Sequence, residues 1–485
     1  MTPPMKSTMT PNGRFSRRQL LMRGANGFGM LALAHLAGLD VQRASAKPAD
    51  RAPWMVHPAK IKHVVLLFMD GGPSQVDTFD PKPILNREHG KPFPASIDAT
   101  QFDQNGTCLG SPFKFSPQGK SGLMISELFP HLSSLADDLC MIRSMKADFS
   151  EHSQACFQLH CGHPLQGRPS VGSWICYGLG AEHENLPGYV VLNGGLLPIG
   201  GGENFSNAFL PAIHQGTIFD TYTGSELVNN VTPAENAAGQ RLLLDFVASQ
   251  DKHFHQALGG RASPEAMAVE AAIQNYETAC AMQVSIPHLV QFADETAATQ
   301  ESYGLDSANP HTKQFARECL LARRLIERGV RFIELTMMKG IRFVAPWDDH
   351  GDISEGHPKM ALAVDQPIAA LIKDLKARGL FESTLLIFAG EFGRTPFAQG
   401  GKGRDHNPQG FSIWLAGGGI RGGTAYGATD EFGYRAVDNV VTLHDLHATI
   451  LYLMGIDHEL LTYRWGGRDL RLTDVYGQVL HDCLI

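Results

Sequence analysis

Three short runs of the chain, Ile61–Met69 (IKHVVLLFM), Val330–Met337 (VRFIELTM) and Thr384–Ala389 (TLLIFA), are predominantly apolar rather than alternating. A strand with one wet face alternates, so a continuous apolar run marks a strand covered on both sides. The second run follows a helix-patterned stretch, Thr312–Arg328, and the third follows another, roughly Lys359–Arg378. Helix followed by buried strand, repeated, predicts an α/β fold with a mostly parallel central sheet and helices on both faces. Ser412–Ala416 (SIWLA) is a further strand, closed by Gly417-Gly418-Gly419, and Leu443–Met454 is a short helix. Residues 234–297 are polar and helix-patterned, and are expected to form a helical insertion over the sheet. No internal repeat or linker divides the remainder, so 47–485 is read as one α/β domain.

The first residues look like an address. Arg17-Arg18 follows Ser16 and precedes Leu20-Leu21. A Gly/Ala/Leu-rich stretch runs from Gly24 to Leu39, and Ala44-Ser45-Ala46 supplies a small-residue cleavage pattern. Charged, apolar and small-residue regions in that order make an export signal. The twin arginine points to the Tat route and a periplasmic or extracellular protein, with residues 1–46 as signal peptide. The net charge of −8 argues against a nucleic-acid scaffold or a binder of anionic membranes. No apolar run approaches the ~18 residues of a transmembrane helix. The eight cysteines include no C-x-x-C pair, so a zinc ribbon is not expected. Their irregular spacing names no disulfide.

In wound sheets, ligands bind beyond the carboxyl ends of the strands, so the residues just after each strand carry the information. Asp70 follows the first run. Trp347-Asp348-Asp349-His350-Gly351-Asp352 follows the second, and Gly390-Glu391-Phe392-Gly393-Arg394 the third. The next loop holds Gly403-Arg404-Asp405-His406-Asn407. Four distant segments are thus expected to deliver Asp70, Asp348, His350, Glu391 and His406 to one edge. Carboxylates and imidazoles gathered there suit a divalent metal. Asp349, Asp352 and His357 lie close enough to be alternatives. Arg394 and Arg404 are candidates for clamping an anion, because a guanidinium fork matches two anionic oxygens. Each arginine can equally be a structural ion pair.

These segments carry a resemblance. Met69-Asp70-Gly71-Gly72-Pro73-Ser74-Gln75-Val76-Asp77-Thr78-Phe79-Asp80-Pro81-Lys82 resembles the opening of an exported bacterial family, domain of unknown function 1501. That family is sulfatase-like and lies within the alkaline phosphatase superfamily. Arg168-Pro169-Ser170-Val171-Gly172-Ser173-Trp174, Trp347-Asp348-Asp349-His350-Gly351, Gly390-Glu391-Phe392-Gly393-Arg394-Thr395-Pro396, Gly403-Arg404-Asp405-His406 and the Gly466–Asp474 tail carry it further. The resemblance implies an alkaline-phosphatase/sulfatase-like sheet and a metal-binding Asp70. It also implies metal ligation by Asp348 with His350, by Glu391 and by His406. Gly162 resembles the closing Gly of the sulfatase nucleophile motif, which puts His152 where the nucleophile stands. No Cys/Ser-x-Pro-Ser-Arg occurs there, so formylglycine is not expected. His152 is a candidate ligand or nucleophile, and Ser150 or Ser153 a displaced hydroxyl. Phe392 stands where the superfamily has a second ligand.

The resemblance and the residues together imply an exported metal-dependent hydrolase of a sulfate or phosphate ester, small-molecule or polysaccharide. The cofactor would be one or more of Ca, Mg, Zn or Mn. His152, Arg394 and Arg404 are the catalytic candidates. The alternative is a catalytically silent binding or assembly protein of the cell envelope that keeps the fold, and a third is a phosphomutase or phosphoryl transferase.

Overall fold

Every side chain of His63–Phe68 (β1) is buried. Val65 and Leu67 enter one apolar cluster, while Val64, Leu66 and Phe68 enter another. A strand that feeds two cores lies inside a sheet covered on both faces. The structure, a computed structural model, describes residues 52–100, 102–183, 185–222, 264–340 and 345–485, together with 227–228, 239, 241–242 and 245–250. The expected signal peptide, 1–46, lies outside the described residues. So does part of the expected insertion at 234–297, of which the helix Pro264–Leu289 is described.

A nine-stranded sheet surrounds β1. Its other members are Leu139–Lys146 (β2), Tyr189–Asn193 (β3), Thr217–Asp220 (β4), Phe332–Leu335 (β5), Thr384–Ala389 (β6), Phe411–Gly417 (β7), Thr424–Tyr426 (β8) and Val441–Thr442 (β9). The order is β8-β2-β7-β6-β1-β5-β3-β4, with β9 beside β2. β1 runs parallel to β5 and β6, and β3 runs parallel to β5 and β4. β7 is antiparallel to both of its neighbours. The strands β2, β3 and β4 were not anticipated from sequence. Leu139–Lys146 (LCMIRSMK) shows why: its Met, Ser, Arg and Lys dilute the β-branched pattern by which a strand is recognised.

Helices cover both faces. Pro310–Ile326 (α3) and Ile353–Ala377 (α4) pack on the Val65 side through Phe315, Leu321, Val364 and Ile368. His152–Cys161 (α1), Val171–Leu179 (α2) and Leu443–Leu453 (α5) pack on the Phe68 side through Leu159, Trp174, Leu446 and Ile450. α4 begins at Ile353, ahead of the expected start near Lys359, because the Asp352 carboxylate caps it by accepting from the Ser354 amide at 2.9 Å. Pro358 therefore lies inside the helix rather than at its start. Among the described residues no helix is long and apolar enough to cross a membrane. Seven cysteines, all but Cys280, are buried thiols outside any disulfide.

Glu318 on α3 makes the interior sensitive to alkali. Its Oε1 accepts from Gln314 Nε2 at 2.8 Å and from Thr221 Oγ1 at 2.9 Å, while the buried Oε2 has no hydrogen-bond partner. Burial pushes the carboxyl up from 4.5 to about 8. The folded chain therefore keeps a proton that the unfolded chain has lost, and stability falls as pH rises from about 4.5 to 8. Glu318→Gln is expected to flatten that slope, gaining on the order of a few kcal/mol over the native chain at pH 9 relative to pH 5. Urea unfolding at the two pH values measures it, and parallel pH profiles for the two proteins would refute it.

Candidate metal centre

The turn after β1 decides how close the neighbouring loops can come. Gly71 has φ +108° and Gly72 φ +74°, conformations that favour glycine. A Cβ on Gly71 would collide with the Asp348 amide and lie 2.8 Å from Ala345 O and Trp347 N, while one on Gly72 would lie 2.7 Å from Phe392 O. The two glycines thus let the loops carrying Asp348 and Glu391 close onto the end of β1. Trp347 N–H donates to Asp70 O at 2.9 Å, and Gly71 N–H donates to both Glu391 oxygens at 3.0 and 3.1 Å. Gly71→Ala is expected to combine left-handed strain with loop displacement, costing about 1–3 kcal/mol or more. Thermal unfolding checks it. A native melt would show that the close approach is dispensable.

Each remaining group arrives from a strand end or from a small outer sheet. His152 opens α1 just beyond β2, with the Glu151 carboxylate capping the helix at the Gln154 amide. The short strands Gly393–Gln399 and Arg404–Asn407 pair Arg394 with His406 and hold both beside the loop after β5. His152 Nδ1 lies 2.6 Å from Glu391 Oε1, and its Nε2 3.5 Å from Asp348 Oδ2. Asp348 Oδ1 is 2.7 Å from His350 Nε2, 3.1 Å from His406 Nε2 and 2.6 Å from Arg394 Nη2. Asp348 and His350 keep 24% and 26% side-chain exposure, so they mark the mouth of the site. The exposed ring of Phe102 stands edge-on to His350, 5.1 Å away.

The protons in this cluster do not match its geometry. His406 Nδ1 lies 2.6 Å from the Ser150 carbonyl, so Nδ1 carries a proton. Burial pushes His406 down to about 4, leaving a neutral ring whose Nε2 is a lone pair. His350 Nδ1 is bonded to Gln399 Oε1. The two Nε2 atoms are 3.0 Å apart and both face Asp348 Oδ1. Two imidazoles and a carboxylate in mutual contact are residue types that could hold a cation. His152 differs: burial opposes its charge, but the hydrogen bonds and charges of Asp348 and Glu391 win and raise it to about 9, which favours the protonated ring. Asp348 itself, buried but beside the Arg394 charge, is held far below the usual carboxylate range.

A second group lies deeper. Asp70, Cys156 and Glu391 are buried, with ligand atoms within 4.8 Å of one another. Asp70 Oδ1 has no hydrogen-bond partner. Burial and the nearby Glu391 push the Asp70 carboxyl well above its usual value. Two buried carboxyl groups, one of them with an unpartnered oxygen, fit a cation. The residues present therefore suit the divalent metal expected from sequence. Asp70, Glu391, Asp348, His350, His406 and His152 are the groups that would hold it.

The arginines are otherwise engaged. Arg394 is fully buried; Nε donates to Gly72 O at 3.0 Å, Nη1 to Arg404 O at 3.3 Å, and Nη2 to Gly71 O and Asp348. Arg404 is equally buried and forks onto Asp77 at 2.7 and 3.2 Å, with Thr395 O and Leu109 O taking its other N–H groups. The structure thus brings Arg394 to the cluster through Asp348 and leaves Arg404 bonded to Asp77. His357 accepts from the Ser74 amide at 2.9 Å and pairs with Asp349, and Asp352 is spent as a helix cap. Phe392 packs against both imidazoles, 5.0 Å from His152 and 4.5 Å from His406, which are themselves in ring contact.

Four residues, Cys156, His160, Glu334 and Tyr189, are given no role by the sequence reading. Cys156 belongs to the deeper group. Below it, His160 Nε2 pairs with Glu334 at 2.7 Å, and Tyr189 OH donates to the same carboxylate at 3.1 Å. A signal existed: His152, Cys156 and His160 are spaced by four, one face of a helix that begins at His152.

A mostly parallel sheet flanked by helices, with acids and imidazoles gathered beyond its carboxyl ends, is a wound α/β architecture. The chain belongs to the family described as "Protein of unknown function (DUF1501)", whose profile matches residues 61–484. Among solved structures, the lipoteichoic acid synthase LtaP from Listeria monocytogenes is similar over 88% of this chain and 78% of its own, at 9% identity and a TM-score of 0.37. The PsFucS1 sulfatase from Pseudoalteromonas sp. is similar over 82% and 68%, at 13% identity and 0.35. The alkaline phosphatase from the Antarctic bacterium TAB5 is similar over 82% and 99%, at 10% identity and 0.35. No curated protein matches the chain.

Proposed function

We propose that this chain is an exported, divalent-metal-dependent hydrolase of a sulfate or phosphate ester. The observation that carries the reading is the contact of Asp348 Oδ1 with Nε2 of both His350 and His406, at 2.7 and 3.1 Å. A divalent ion there would polarise the ester oxygens and offset charge that builds in the transition state. The chain's own groups supply the rest. Glu391 holds His152 at Nδ1 and Asp348 lies 3.5 Å from Nε2, so Nε2 is the nitrogen that would ligate or attack once it has given up its proton. Ser150 and Ser153 flank it as hydroxyl alternatives, although Ser153 Oγ already bonds Glu151. Arg394 holds Asp348 and the two glycines, and Arg404 braces the strand that carries His406. Both arginines therefore serve by positioning.

The test is metal content of the purified chain together with turnover of aryl sulfates and aryl phosphates. Retained divalent metal and hydrolysis of one class are expected. His152→Ala should abolish turnover with metal retained if His152 attacks, and lower metal and rate together if it ligates. Full metal occupancy without turnover of either ester would refute the enzyme reading. One observation favours the silent envelope protein instead: neither buried guanidinium is free to grip an anion, since Arg394 is taken by Gly71 O, Gly72 O and Asp348, and Arg404 by Asp77, Thr395 O and Leu109 O.

A further inference from the structure

Asp70, Cys156 and Glu391 form a compact set distinct in composition from the Asp348 group. Their ligand atoms lie within 4.8 Å of one another, and all three side chains are buried. Cys156 stands one helical turn after His152 on α1, so the helix that begins at the site turns this thiol toward it. An independent sign of a ligand is Asp70 Oδ1, which belongs to a residue 2% exposed and has no hydrogen-bond partner. Buried acceptors are almost always satisfied, so this one calls for a partner.

We propose that Cys156 is a thiolate ligand that, with Asp70 and Glu391, makes the deeper subsite select zinc over magnesium or calcium. The inference rests on the metal reading above and adds to it an ion class and a ligand. Magnesium and calcium take oxygen ligands, whereas thiolate with carboxylate suits zinc. On binding, the Cys156 S–H bond breaks, the proton leaves to solvent, and sulfur bonds the ion, with no change of oxidation state. Two carboxylates and one thiolate would supply three protein ligands, the count of catalytic rather than structural zinc sites.

The test uses the full chain, stripped with a chelator and reloaded with Zn²⁺, Mg²⁺ or Co²⁺. Zinc retention over magnesium at equal concentration is expected by mass spectrometry. The cobalt form should show a near-ultraviolet sulfur-to-cobalt charge-transfer band. Cys156→Ser should remove that band and lower zinc affinity by about 10-fold or more, the scale on which even a change behind a ligand is felt. Cys161→Ser, on the same helix but with its thiol on the Asn204 carbonyl, should keep both. The wild-type band needs no variant, so the proposal stays testable if Cys156→Ser does not fold. Cobalt bound without the band, or a band that survives in Cys156→Ser, overturns the ligand role while the metal reading stands. Binding of none of the three ions overturns both.

Discussion

Asp77→Ala will destabilise the folded chain by about 3–5 kcal/mol, the cost of leaving a buried charge without its partner. Both members of the Asp77–Arg404 pair are fully buried. Arg404 donates to both Asp77 oxygens, and Ser74 Oγ adds a third donor at 2.5 Å. Burial alone would raise the Asp77 carboxyl, but the Arg404 charge and hydrogen bonds outweigh it and hold the group below its usual value. With the folded pKa depressed, the pair contributes fully above the ordinary carboxylate range and is lost as pH falls through the folded value. In Asp77→Ala only Thr395 O and Leu109 O remain to receive the guanidinium. The urea midpoint should drop with little change in slope. His406, two residues from Arg404 on the same strand, should lose its position, and bound metal should decline with it. An Asp77→Ala protein that keeps its midpoint but binds substrate differently would instead make Arg404 an anion clamp.

The strands β1, β5 and β6 were legible because the centre of a wound sheet is covered on both sides, and such strands are written as continuous apolar runs. The acids behind them were legible for a related reason: ligand groups in this architecture follow strand ends, so Asp70 and Glu391 could be located without knowing the rest. His152 came only through Gly162, whose φ of 65° now has a local explanation as the left-handed cap of α1. What a guanidinium faces was not legible. Arg404 and Asp77 lie far apart in the chain, and a lone Arg carries no local mark that separates an ion-pairing role from an anion-binding one. Of the missing strands, β2 is diluted by Met, Ser, Arg and Lys and β4 is only four residues long, whereas β3 (YVVLN) carries a legible β-branched run. Cys156 and His160 share a helix face with His152 through a spacing of four, a pattern that by itself does not separate a ligand from a core residue.

Glu391→Gln should lower divalent-metal affinity by more than the roughly 10–100-fold that follows loss of a group behind a ligand, and ester turnover should fall with it. The side chain is 0% exposed and its two oxygens accept from the Gly71 amide, while Oε1 also faces His152 Nδ1 at 2.6 Å. Glutamine keeps the shape, so the fold and the Asp70-Gly71-Gly72 turn should persist, as circular dichroism would record. It removes the negative charge shared by the Asp70 and Asp348 groups, and it sets an NH₂ opposite donors that need an acceptor. The substitution therefore isolates charge from packing, which Glu391→Ala would not. Asp70 should hold its proton less tightly once its neighbouring carboxylate is neutral, but no cation would be drawn in, because one acid cannot replace two. If Glu391→Gln binds zinc and turns over ester as the native chain does, Glu391 is only a brace for Gly71 and the metal centre lies wholly in the Asp348 group.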